Sequence, residues 1–379
     1  MSRWLGGVAA VLIGLVSIST WLFAAEARGV RPPGNYDLVQ ASSSPDTSDA
    51  LRSDALARAA ARLPSADPLA RQPVLQAGDP LAAPLVTCVL VSEPPSGTTP
   101  KFDCALSNGE VVKVKYGRNP EIHAEVAATR LLSTLGWAAD FVTIVPQLRC
   151  YGCPRLPFLT MQLRRLPLVP YLLPERYDGG YTDFEMVAVE RKFPAPPIKT
   201  AAQEGWGWWE LKRSRADRAE LDALRLLALF LAHWDNKAGN QRLVCLDTTQ
   251  GEGGREKGEC ERPLLMMNDL GATFGPSKVN LPRWRNAQIW ADAATCVGSM
   301  RSLPYAGASF SDVRISEAGR QLALTQLRSL SPAAVRGIFA TARFQDYQSN
   351  TDDEHDLAEW TSAFRQRVEM IAAAGPCPT

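Results

Sequence analysis

His233-Trp234-Asp235-Asn236-Lys237-Ala238-Gly239-Asn240 is a polar interruption in an otherwise apolar region of the chain. Upstream, Asp217–His233 carries Leu221, Leu224, Leu227 and Leu231 at helical spacing, which predicts a buried helix ending at this octet. Downstream, Gln241–Leu246 and Leu264–Met267 read as two short strands, joined by the Gly-rich, charged stretch Thr248–Arg262. A second acidic turn, Asn268-Asp269-Leu270-Gly271, follows the second strand directly. A polar loop, a hairpin and an acidic turn in that order suit phosphoryl transfer. One carboxylate orients an attacking hydroxyl, a nearby lysine offsets charge on the transferred group, and an amide oxygen with a second carboxylate holds a divalent cation.

Working outward toward the N-terminus, Glu110-Val111-Val112-Lys113-Val114-Lys115-Tyr116 alternates as a strand, preceded by the hairpin turn Asn108-Gly109. Leu85–Val91 and Lys101–Leu106 read as strands, as do Phe141–Leu148, Phe158–Leu163 and Phe184–Glu190. A helix is expected from Pro120 to Leu135, ended by Gly136. Lys113 and Lys115 share one strand face, and Lys115 is favoured as the functional one; Glu125 is favoured over Glu121 as its partner.

These residues carry a resemblance. Asp235-x-Lys237-x-x-Asn240, with His233 two residues earlier, has the spacing of the protein-kinase catalytic loop, and Asp269-Leu270-Gly271 resembles the kinase Asp-Phe-Gly motif. Val112-Lys113-Val114-Lys115 is similar to the strand bearing the ATP-binding lysine, and Glu125 matches the helix glutamate paired with it. Trp234 and Leu270 depart from the usual Arg and Phe, and no G-x-G-x-x-G loop precedes Lys115; Ser92–Thr99 is the stretch available to close over phosphates. The chain therefore resembles atypical kinase-like families, the secretory-pathway kinases and the bacterial persistence-toxin kinases.

The resemblance implies a bilobal α+β fold. A small, mainly antiparallel sheet lobe with one helix would span residues 81–200, and a mainly helical lobe residues 201–379. It implies ATP between the lobes, with adenine against the link Glu190–Pro197, and Mg²⁺ or Mn²⁺ on Asn240 and Asp269. It gives Asp235 and Lys237 catalytic roles and makes Lys115, with Glu125 behind it, the phosphate-binding pair. Two other readings stay open: a catalytically inactive scaffold on the same fold, and transfer of AMP in place of phosphate. The acceptor is a hydroxyl on protein, sugar or lipid.

The rest of the chain bears on where this happens. Arg3 and the apolar run Trp4–Ala25, closing on Ala25-Glu26-Ala27, read as a signal peptide over 1–27 or an uncleaved anchor, and either one exports the remainder of the chain. Residues 28–80 are Pro-, Ser- and Ala-rich and read as a weakly ordered tether with a short helix near Asp49–Leu63. Eight cysteines fit export and disulfides, with Cys150–Cys153 as a structural bridge and Cys88–Cys104 and Cys245–Cys260 as local pairings. The net charge of +1 gives no support for nucleic-acid binding, and the 46% apolar content excludes global disorder. The mean hydropathy of −0.13 excludes a multi-span membrane protein. A monomer is expected, meeting a membrane through the N-terminal segment alone. Gly205-Trp206-Gly207-Trp208-Trp209 reads as packing between the halves, or as a pocket wall.

Overall fold

Three strands, β1 (Val86–Val91), β2 (Lys101–Leu106) and β3 (Val111–Lys115), each alternate buried with less buried side chains along most of their length. The computed structural model describes residues 47–65, 75–91, 95, 97–166, 179–200, 205–247, 260–303, 310–346 and 356–378. The N-terminal segment 1–27, residues 92–94 and 96 of the loop expected over Ser92–Thr99, and residues 248–259 lie outside the described residues. Among the described residues, no helix is long and apolar enough to cross a membrane.

Helix α1 (Thr47–Arg58) precedes these strands, and helix α2 (Pro120–Thr134) follows them. Asn119 caps α2 by accepting the Glu121 N–H, Pro120 supplies a preset φ at the first turn, and Gly136 at φ +81 ends it. Then come β4 (Phe141–Tyr151) and β5 (Tyr181–Arg191), paired antiparallel over ten positions. The expected antiparallel sheet closes further than the sequence suggested. The order β1-β2-β3-β5-β4 returns on itself through a parallel β1–β4 pair, with Val86 opposite Leu148 and Cys88 opposite Cys150, to make a barrel. Its filling is Val86, Leu90, Phe102, Val112, Val114, Leu148, Val187 and Val189.

Two expectations are corrected. Phe158–Leu163, read as a strand, lies in a short helix, α3 (Pro157–Leu163); Pro157 starts it and Met161 turns inward. Thr47–Leu63, read as tether, belongs to the folded body. Ala55, Leu56, Ala59, Ala61 and Leu63 are buried, Arg52 pairs with Glu210, and Ala60 bridges Leu264 on a later strand. The short helix was visible in the sequence, but the Ala60–Leu264 bridge that helps fix it joins residues some two hundred positions apart.

The second half is mainly helical: α4 (Arg218–Leu231), α5 (Leu281–Asn286), α6 (Glu317–Ser329), α7 (Pro332–Thr341) and α8 (Leu357–Ala372). Between α4 and α5 lies the expected hairpin of β6 (Gln241–Cys245) and β7 (Pro263–Met267). A small sheet, β8 (Trp290–Asp292), β9 (Val297–Gly298) and β10 (Val313–Arg314), lies between α5 and α6. No break in packing separates the halves at residue 200. One core runs from Ile122, Val126 and Leu131 of α2 to Leu224, Phe230, Trp284, Phe339 and Trp360. Helix α2 is buried on most sides, and His123 meets the Ala342 carbonyl at 2.7 Å. All eight cysteines are paired: the three bridges expected from sequence, plus Cys296–Cys377, which ties the C-terminus to the turn before β9.

Candidate functional site

Helix α4 delivers the octet. Asp217 caps its start, and Ala232, at φ 50, ends it in the left-handed conformation. From there the backbone is tied to the second acidic turn. Trp234 N–H donates to Ala272 O at 3.0 Å, Phe274 N–H to Leu231 O at 2.8 Å, and Asn268 N–H to Asn240 O at 3.0 Å. Asp269 at φ 50 and Phe274 at φ 57 are also left-handed non-glycine residues, so backbone strain gathers on both sides of this junction. The two loops read separately in the sequence are thus one structure.

Within it, Lys237 Nζ lies 3.0 Å from both carboxylate oxygens of Asp235, and the Asn240 amide donates to the Asp235 carbonyl at 2.6 Å. His233 is fully buried; its Nδ1 meets Ala272 O at 3.1 Å, while Nε2 has no partner among the described residues. Burial holds its pKa below the usual histidine value.

Across the cleft, Lys115 Nζ bonds both Glu125 oxygens, at 2.5 and 2.6 Å, and sits 3.2 Å from Glu190 and 3.6 Å from Asp269. Lys115 is therefore the lysine paired with the helix glutamate, whereas Lys113 reaches Glu190 at 3.6 Å. Glu121, the other candidate partner, turns to Thr99 and Asn119 instead. Burial would lower the Lys115 pKa, but the Glu125, Glu190 and Asp269 carboxylates outweigh it and hold the ammonium well above its ordinary value. Burial pushes Glu125 up to about 7 despite Lys115. Burial would raise Glu190 too, but Lys115, Lys192 and Lys113 hold it well below the carboxylate range. Asp269 is held low by Lys115 and Lys101 against its own burial.

The structure brings together Lys115, Glu125 and Asp269 by direct contact, and Asp235, Lys237 and Asn240 in the adjoining loop. Lys115, Asn240 and Asp269 line one cavity of about 380 Å³. Oxygen donors suit a hard divalent cation. The cavity wall offers the Asp269 carboxylate, the Asn240 amide oxygen left over from its bond to Asp235, and Asn268 Oδ1, which is buried with no partner among the described residues. These donors fit Mg²⁺ or Mn²⁺.

The sequence singled out the Gly205–Trp209 cluster and Glu190 but not what they touch. Gly205 packs on the octet so closely that a Cβ there would sit 1.8 Å from Ala238 O. Trp206 donates to Arg242 O and Trp208 to Asn236 Oδ1, so the tryptophan cluster braces the loop. Trp209 is exposed and lines, with Trp208 and Arg225, a separate cavity of about 580 Å³ that contains none of the motif residues. Glu190, Lys192, Asp140 and Arg242 form a chain of ion pairs at the far end of the cleft. A charge at position 190, closing the apolar run Met186–Val189, was the one signal for it. Of the two arginines after Asp269, Arg285 is engaged by Glu359 at 2.5 Å and Arg283 is exposed.

No model of a known protein family matches the chain, and no curated protein matches it. Among solved structures the chain is similar to the Helicobacter pylori proinflammatory kinase CtkA, at 11% identity and TM-score 0.38, covering 76% of this chain and 95% of that one. It is also similar to the Golgi casein kinase, at 10% identity and TM-score 0.33, covering 76% and 70%. The Mn/ADP-bound form of that kinase matches at 9% identity and TM-score 0.33, covering 76% and 71%. Both of those proteins are kinases.

Proposed function

We propose that this chain is an exported kinase-like phosphotransferase that moves the γ-phosphoryl group of ATP to a hydroxyl acceptor. The observation that carries the reading is Lys115, bonded by Glu125 and 3.6 Å from Asp269, with the Asp235–Lys237–Asn240 loop on the same cleft. In this reading Lys115 grips the phosphates, and Glu125 and Glu190 hold its ammonium in place. Asp235 accepts the proton of the attacking hydroxyl. Lys237, which now neutralises Asp235, swings to the transferred phosphoryl. Asn240 and Asp269, with Asn268, would hold Mg²⁺ or Mn²⁺, which when bound neutralises charge on the triphosphate. Export rests on the apolar N-terminus and on four disulfides.

The test uses ATP labelled at the α or γ position, with the oxidised protein and a panel of protein, sugar and lipid-headgroup acceptors. Asp235→Ala should lower transfer by about 10²–10⁴-fold and keep nucleotide binding. Asp269→Ala should remove the metal-dependent thermal shift, which for ligand at 100 times Kd amounts to about 2.7 kcal/mol. Transfer of α-label would favour the AMP-transfer reading. Binding with no transfer to any acceptor would favour the scaffold. Unchanged turnover in Asp235→Ala would remove that residue from the mechanism.

A further inference from the structure

The cleft is unusual at its far end. An aromatic base is held by apolar faces and a few edge hydrogen bonds, so a base pocket is mostly apolar. Here Pro197 and Gly239 are the only apolar residues among the described lining. Six cations line it instead: Lys101, Lys113, Lys115, Lys192, Lys199 and Arg242, against the carboxylates of Glu190 and Asp269.

The arrangement follows from the strands. Lys113 lies two residues before Lys115, on the same face of β3, and its register partner on β5 is Glu190. Lys192 bonds Glu190 and reaches Asp140 at 3.4 Å, while Arg242 grips Asp140 at 3.1 and 3.2 Å. This ladder of ions occupies the link where the sequence led us to expect adenine. Burial lowers the pKa values of Lys101 and Lys113, a cost that an arriving polyanion would relieve.

We infer that the cleft recognises its donor through the polyphosphate chain and not through the base, so that it takes nucleoside triphosphates with little regard to base and binds inorganic tripolyphosphate as well. This rests on the phosphotransferase reading of the same cleft. Phosphates offer several charges to a compact set of ammonium and guanidinium donors, each forming charge-assisted hydrogen bonds. Lys113 and Lys192 already share the single Glu190 carboxylate, and a neutral base beside them would desolvate both without adding any opposite charge.

The experiment is calorimetric titration of the full-length oxidised protein, in Mg²⁺, with ATP, GTP, CTP, UTP, tripolyphosphate and adenosine. The four nucleotides should bind with Kd values within about threefold of one another, tripolyphosphate within about tenfold of them, and adenosine not measurably. Raising the salt should weaken all five anions together. In Lys113→Ala the five should weaken in parallel, by about 3–10-fold. Binding of ATP at least about tenfold tighter than GTP, CTP and UTP, or competition by adenosine, would overturn the inference and leave the phosphotransferase reading intact. Binding by none of the triphosphates would overturn both.

Discussion

Glu125 and Glu190 show how two buried carboxylates on one lysine come to differ. Glu190 has Lys113, Lys115 and Lys192 around it and stays ionised, whereas Glu125 has Lys115 alone and is raised to about 7. The sign of the consequence is definite. Between about pH 4.5 and 7 the folded chain keeps a proton on Glu125 that the unfolded chain has released, so this group's contribution to stability falls as pH rises through that window. Glu190 titrates below the window and adds no slope inside it. The buried His123 and His233 contribute a slope of opposite sign. Those histidines are common to wild type and Glu125→Gln, so the comparison isolates Glu125. Thermal melts at pH 5, 6 and 7 should show the wild type losing stability relative to the variant as pH rises, and parallel curves would refute the assignment.

At the scale of elements, Arg367 of α8 decides how three helices meet. It is fully buried and donates to Leu229 O and Phe230 O at the end of α4, and to Trp284 O and Ala287 O at the end of α5, at 2.6–2.8 Å. A helix leaves its last carbonyls without internal partners, and here one guanidinium satisfies four of them. Replacing it with Met should cost roughly 1–3 kcal/mol, because Ala287 O loses its side-chain donor while Leu229 O, Phe230 O and Trp284 O each keep a second one. Lys should rescue little, since a point charge cannot span two helix ends. Urea unfolding midpoints of Arg367→Met and Arg367→Lys measure both. The same helix α4 then hands the chain to the octet, so this junction also supports the candidate site.

For the whole molecule, the question is where the folded body begins. The chain from Thr47 onward forms one unit, and α1 with the segment after it contributes Leu56 and Leu63 to buried clusters. Arg52 also reaches Gly205 O and Glu210, beside the tryptophan cluster that braces the octet. A chain lacking 1–46 should therefore melt close to the full-length protein. Removal of 1–65 should lower stability by several kcal/mol, at roughly 1.5–3 for each buried leucine. Equal melting temperatures for the two truncations would return the segment to the role of a tether.

The sequence by itself determined what local chemistry controls. The caps at Asn119, Asp217 and Ser331 set helix starts, because a side-chain oxygen three residues or fewer away satisfies an orphan N–H. The order and spacing of Lys115, Glu125, Asp235, Asn240 and Asp269 were legible in the same way, as were the short disulfides. Tertiary structure alone decided the rest. The parallel β1–β4 closure, the burial of α1, the Gly205 contact with the octet and the ion ladder from Glu190 to Arg242 all join segments far apart in the chain. Their outcome depends on which surfaces exclude water together and which charges are left facing one another. No run of residues read alone contains that information.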